Sequence, residues 1–240
     1  MQPYDVLNIP SSCSVGNTIF KKHFYDTGDL STSDKALFTQ IEKIVWLYCL
    51  KPETINIPPY KDELRDYPEI EFIEVSLAHD TKLCRIAEII MRTIPYPLVL
   101  SFRLQEQLQL WTAHQRINFN DSSKNTLEEF IFTTWLKPTD ELFSRLDITK
   151  MRFTNYFALY SDFLDTISIY NAQSRANVGA DISGEEARQL TSQIDELEQK
   201  LASLRASLKK ESQFNRKMEL NIRIKQIEAT KNKFLIGGSL

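Results

Sequence analysis

The chain has 240 residues, 42% of them hydrophobic and 25% charged, with a net charge of −3. That is the composition of an ordinary soluble globular protein, with length for one good-sized domain or a domain plus an appendage. Cys13, Cys49 and Cys84 lie far apart and form no CxxC pair, which argues against structural zinc and a disulfide framework and for a reducing compartment. Apolar runs such as Leu98-Val99-Leu100 fall far short of the roughly 20 residues that cross a bilayer. The N-terminus lacks the basic and apolar regions of a signal peptide. A cytoplasmic protein with no membrane partner is expected.

Charge is unevenly distributed. Residues 1–184 hold 18 basic and 24 acidic side chains, a net of −6; residues 185–204 hold 2 and 5, a net of −3; residues 205–240 hold 9 and 3, a net of +6. A mildly acidic body thus carries a basic tail, and such asymmetry suggests an electrostatic partner.

In chain order, residues 17–25 read as a short helix. A stronger helix follows Ser31 or Ser33, with Leu37, Ile41, Ile44, Val45 and Tyr48 at helical spacing, and Pro52 ends it. Residues 52–68, with four prolines, read as an irregular connection. Residues 70–77 form a strand. Asp80 opens a helix with Leu83, Ile86, Ala87, Ile90, Met91 and Ile94 on one face, and Pro95-Tyr96-Pro97 stops it. A strand at 98–102, a short connection, and an alternating strand from Leu108 to Ile117 follow. Residues 118–125 form a turn-rich loop, and 127–136 return to the sheet. The expected fold class is α+β, a small, three- or four-stranded, mainly antiparallel sheet with packed helices, followed by a long C-terminal coiled-coil helix. A short helix capped by Thr139 and a helix over 151–176 with a wide aromatic stripe complete the globular domain, residues 1–178. Residues 179–184 read as a hinge, and Ser183 with Glu186 as a capping box.

Residues 185–236 read as a coiled-coil arm. Leu190, Ile194, Leu197, Leu201, Leu204 and Leu208 step by 4 and 3, a heptad seam. Continuing the frame adds Asn215, Met218 and Ile222. A second stripe, Leu220, Ile224, Ile227, Lys231 and Phe234, is offset from the first, as a break in heptad phase would make it. One uninterrupted helix here would be about 75 Å long, so its seam calls for a partner, either a second copy or another helical protein. Lys209, Lys210, Arg216, Lys217, Arg223 and Lys225 form a basic cluster that reads either as a solvated flank or as contacts to nucleic-acid phosphates.

The chemistry-bearing candidates are sparse. Glu71 and Glu74, on the strand before Ser76, resemble the acidic half of a magnesium-nuclease motif without its lysine; their three-residue spacing puts them on opposite faces of the strand. His114 and Arg116 share a strand face that suits a phosphate or carboxylate, or is the polar side of a half-exposed strand. The chain carries no GxGxxG, GxSxG, HExxH or phosphate-binding loop. No catalytic residue, metal or cofactor is therefore expected.

Several phrases in order, "LNIPSSCSVGNTIFKKHFY" (7–25), "DKALFTQIEKIVWLYCLKPETINI" (34–57), "IEFIEVSL" (70–77), "IAEIIMRTIPYPLVLSF" (86–102), "LWTAHQRIN" (110–118), "EEFIFTTWL" (128–136) and "ESQFNRKMELNIRIKQIE" (211–228), resemble the bacterial domain of unknown function family 4391. The resemblance implies a place near helicase and DNA-methyltransferase genes in restriction or anti-phage defence neighbourhoods. Members often carry a charged residue where this chain has Ser76. The leading expectation is a non-catalytic accessory or scaffold subunit of a DNA-processing complex, self-associating or docking on a helicase or methyltransferase through the arm. The alternatives are a metal-dependent nuclease centred on Glu71 and Glu74, and a sequence-independent DNA-binding protein acting through the basic arm.

Overall fold

The computed structural model describes residues 3–28, 30–118, 125–179 and 181–236; most of the expected loop at 118–125 lies outside them. The elements run β1 (Ser14–Thr18), α1 (Lys21–Thr27), α2 (Thr32–Leu37), β2 (Ile41–Leu50), α3 (Pro52–Ile55), β3 (Tyr60–Lys61), β4 (Asp66–Tyr67), β5 (Ile70–Leu77), α4 (Leu83–Thr93), β6 (Leu98–Leu104), β7 (Gln107–Thr112), β8 (Gln115–Ile117), β9 (Asn125–Leu127), β10 (Ile131–Phe132), α5 (Glu141–Arg145), α6 (Tyr156–Arg175), α7 (Gly184–Lys210) and α8 (Phe214–Leu235). By its contacts the chain divides into two compact units, Met1–Ile167 and Ser168–Leu240. No described helix is long and apolar enough to cross a membrane.

The first unit is built on a six-stranded sheet in the order β1-β2-β5-β6-β7-β10. The fold is α+β as expected, but the sheet is larger than expected and mixed rather than mainly antiparallel. β5 and β6 run parallel, Glu71 beside Leu98 through Leu77 beside Leu104, because α4 carries the chain back between them, as a parallel pair requires. The helix expected over 31–51 is also corrected. Ser31 does cap α2, through a reciprocal capping box with Asp34, but the chain then turns into β2. The stretch "IEKIVWLYCL" is rich in β-branched and aromatic residues, and β2 pairs with β1 on one side and β5 on the other. Ladder bonds on both sides outweigh a helical spacing that local pattern alone favoured.

Side chains alternate across β5. Ile73, Val75 and Leu77 face the cluster formed with Ile86, Ala87, Ile90 and Met91 of α4. Phe72 meets Phe163 of α6 edge-to-face at 5.6 Å. The aromatic stripe of α6 is core, as expected: Tyr156, Tyr160, Phe163 and Ile167 are all buried. The Tyr160 hydroxyl donates to the Leu98 carbonyl at 2.8 Å, which anchors the helix to β6. At one rim, β1 changes register between Ser14 and Asn17, and Gly16 there has φ +70. At the other, β10 has only two residues.

In the second unit, the expectation of one continuous rod is corrected. Helix ends at Lys210 and resumes at Phe214. Glu211 is extended, and its side chain accepts from the Ser212 and Gln213 amides at 2.8 Å. This three-residue turn reverses the chain without glycine or proline, within the range of helix–helix connections. Arg205 reaches Glu228 at 2.6 Å, Lys231 reaches Glu198 at 2.5 Å, and the Asn177 amide donates to the Leu235 carbonyl at 2.8 Å. α7 and α8 therefore form an antiparallel hairpin. The inner faces are the α7 part of the first stripe, with Ile194 and Leu201, and the offset stripe of α8, with Ile224, rather than one seam with a phase break.

Candidate functional site

Two groups of polar side chains are built into the first unit. β2 and β5 place Cys49 directly opposite Glu71, and Glu69 stands just before β5. The Cys49 thiol lies 3.8 Å from Glu69 Oε2. One ligand atom from each of Cys49, Glu69 and Glu71 can lie within 4.8 Å of the others. Glu71 is 2% exposed and accepts from the Trp46 indole N–H. Burial, reinforced by the Glu69 carboxylate, pushes the Glu71 carboxyl up to about 7 against the opposing pull of the Trp46 hydrogen bond. Burial and the same two carboxylates push the Cys49 thiol well up.

A raised carboxyl holds its proton in the folded state over a range where the unfolded chain has lost it, so it favours folding at low pH and that contribution is lost as pH rises. Stability is expected to fall between about pH 4.5 and pH 7. Glu71→Gln should flatten this slope. Urea unfolding of both proteins at the two ends of that range measures it; parallel pH profiles would show that Glu71 does not titrate there.

The second group centres on Glu74, on the other face of β5. Arg103 of β6 binds it with two donors, Nε to Oε1 at 2.9 Å and Nη2 to Oε2 at 2.7 Å. Tyr4 donates to Glu74 Oε2 at 2.7 Å, and its hydroxyl lies 2.6 Å from Ser101 Oγ. The parallel register puts Ser76 beside Arg103. A cation thus reaches Glu74 from the neighbouring strand, while Ser76 occupies the position two residues on. Glu71 and Glu74 belong to separate networks on opposite faces, and the structure does not bring them together as one acidic pair.

His114 and Arg116 are likewise separated by their contacts. His114 Nδ1 lies 2.8 Å from the Tyr67 hydroxyl, and the ring packs among Phe157 and Tyr160. Arg116 binds Glu128 at 2.7 Å, a carboxylate that Arg65 also reaches at 2.6 Å.

In the hairpin, Ile194 and Leu201 of the expected seam are buried, Leu190, Leu197, Leu204 and Leu208 are half-buried, and Asn215, Met218 and Ile222 are exposed. Ile224, from the offset stripe, is the buried residue of α8. Phe214, Met218 and Ile222 instead form an outward stripe, 74%, 50% and 53% exposed. Arg216 lies 4.0 Å from Glu211. Lys209, Lys210, Lys217, Arg223 and Lys225 are all exposed.

Local spacing showed none of Tyr4, Cys49 or Arg103 as partners of the acidic strand, because they come from distant segments. Phe214 carried a visible signal: it stands four and eight residues before Met218 and Ile222, on the same helix face. These features define the class, an α+β protein with a mixed sheet and a C-terminal helical hairpin. The chain belongs to the family described as Domain of unknown function (DUF4391), whose model matches residues 7–230. Comparison with curated proteins and with solved structures gives no match.

Proposed function

We propose that this protein is a non-catalytic docking subunit of a DNA-processing complex, and that it holds a partner protein through the outward face of α8. The observation that carries this reading is the exposed stripe Phe214, Met218 and Ile222. Steps of four residues put these side chains on one helix face, and Lys217 and Lys225, three residues from Phe214 and Ile222, border it. A contiguous apolar face with a polar rim is a common mark of an interaction site. The basic border selects an acidic partner helix; a second copy of α8 would bring lysines against lysines. The α7–α8 hairpin buries Ile194 and Leu201 of the heptad pattern within the chain and half-buries its other leucines, which supports docking through the α8 face over pairing of bare rods. The family resemblance suggests a helicase or a DNA methyltransferase as the class of partner.

Co-expression with the helicases and DNA methyltransferases of the same genome, followed by co-purification, tests this reading. Phe214→Asp with Ile222→Asp is expected to abolish capture while leaving the circular dichroism of the protein unchanged, since central apolar anchors commonly contribute about 2 kcal/mol or more to binding. Equal capture by the double variant, or no capture by the wild type, would overturn the proposal.

A second reading rests on Lys209, Lys210, Lys217 and Lys225, which form no ion pair among the described residues. If they neutralise DNA phosphates, affinity for a random duplex should fall steeply with salt, and reversing all four charges should reduce the salt slope by about four. A salt-independent affinity would exclude this contact.

A further inference from the structure

The group around Cys49 packs two carboxylates and a thiol together with little access to solvent. Glu71 and Cys49 are 2% and 6% exposed, and Glu69 is half-buried beside them. Among the described residues no lysine or arginine forms an ion pair with Glu69 or Glu71. Two carboxylates and a thiol this close, with so little solvent, favour a proton or a cation among them.

A second, independent feature points the same way. Tyr156, the first residue of α6, is 0% exposed, and its hydroxyl finds no hydrogen-bond partner among the described residues. Burial pushes this hydroxyl well up, and Cys49 and Glu69 are among the groups that add to the shift. An orphaned buried hydroxyl costs about 1–3 kcal/mol, and it is the kind of vacancy that a bound water or ion fills.

We propose that Cys49, Glu69 and Glu71 bind a divalent transition-metal ion of the zinc class, and that Tyr156 hydrogen-bonds a water in the fourth position. The donor set argues for this class. A thiolate disfavours magnesium and calcium, which take oxygen ligands, while one sulfur and two carboxylate oxygens suit zinc or cobalt. Zinc bond lengths of about 2.0–2.3 Å put tetrahedral ligand atoms about 3.3–3.8 Å apart, and rotation of the half-buried Glu69 side chain closes the remaining distance. The three ligands arrive from the end of β2, the start of β5 and the residue before it, so the ion would clamp these strands together. Such a site also leaves one coordination position for an exogenous ligand. The inference is independent of the docking face on α8.

Cobalt(II) is the probe, added to the full-length, reduced protein. One equivalent is expected to produce a near-ultraviolet sulfur-to-metal charge-transfer band and the visible bands of four-coordinate cobalt, and zinc should bleach both. Cys49→Ser should abolish the charge-transfer band, and Glu69→Gln should weaken binding. Tyr156→Phe should retain the band but bind roughly 10- to 100-fold more weakly, as loss of a partner that orients a bound ligand commonly does. A folded wild type with no charge-transfer band would overturn the proposal without reference to any variant. So would an undiminished band in Cys49→Ser, which would assign the sulfur to Cys13 or Cys84. Unchanged affinity in Tyr156→Phe would remove the tyrosine from the site.

Discussion

Arg103→Met is expected to lower the unfolding free energy of the first unit by about 3 kcal/mol, the low end for breaking a buried ion pair. The Glu74 and Arg103 side chains keep 12% and 23% of their exposure, so solvent reaches the pair only in part. Removing the guanidinium takes both of its donors from a carboxylate that retains the single Tyr4 hydroxyl. Arg is specific here, because its planar fork makes both bonds at once; Arg103→Lys should recover less than half of the loss. Glu74→Gln should be destabilising too, through the guanidinium left behind. The double variant Glu74→Gln with Arg103→Met should lose less than the two single changes combined, since the pair shares one network. Urea unfolding of the four proteins measures the coupling, and strict additivity would show that the contact contributes nothing to the fold. A carboxylate held by an arginine and a tyrosine in a fixed network is a structural clamp across β5, β6 and the N-terminal turn.

The second large effect is expected in the hairpin. Leu201→Ala should destabilise the second unit by about 2–5 kcal/mol, the usual range for such a truncation in a packed interior. Few residues there are fully buried, among them Ile194, Leu201 and Ile224, so each contributes a large share. The ion pairs Arg205–Glu228 and Lys231–Glu198 lie on the exposed surface and contribute little, since exposed pairs are commonly worth less than about 1 kcal/mol. Amide hydrogen exchange over 214–235 should therefore accelerate by at least about tenfold, because each 1.4 kcal/mol of local opening free energy changes the open population by that factor. Exchange in β5 and β6 should be far less affected. Protection of 214–235 equal to that of the wild type would mean that α8 does not depend on α7.

Much of this architecture is legible in the residues. The apolar run of β5, the one-sided face of α4, the stop at Pro95–Pro97, the hairpin of β6 and β7 and the aromatic stripe of α6 are all local patterns, and each stands where it is expected. Ser183 with Glu186 does open α7 with a reciprocal capping box. β2 was hidden because its apolar residues fit a helical period as well as a strand, and only pairing on both sides decides between them. The reversal at 211–213 was hidden because its turn is closed by a glutamate side chain rather than by glycine or proline. In retrospect the change from an acidic to a basic segment and the offset of the two stripes both mark it: opposite charges and apolar faces that meet across a hairpin need no common phase. The Cys49–Glu69–Glu71 group was hidden for a third reason. Residue 49 reaches residue 71 only through strand register, a long-range relation that no spacing rule contains.

The rims of the six-stranded sheet carry a last consequence. An open sheet invites neighbouring chains to extend it, and fibrous polymers grow from long, flat borders. Here the β10 border is too short to template another strand, and the β1 border is bent where Gly16 sits at φ +70. Gly16→Val would have to hold a left-handed conformation that costs an L-residue about 1–2 kcal/mol, and the chain could relieve that strain by straightening the border. Gly16→Val is therefore expected to favour lateral association of sheets, which light scattering of the variant beside the wild type would detect.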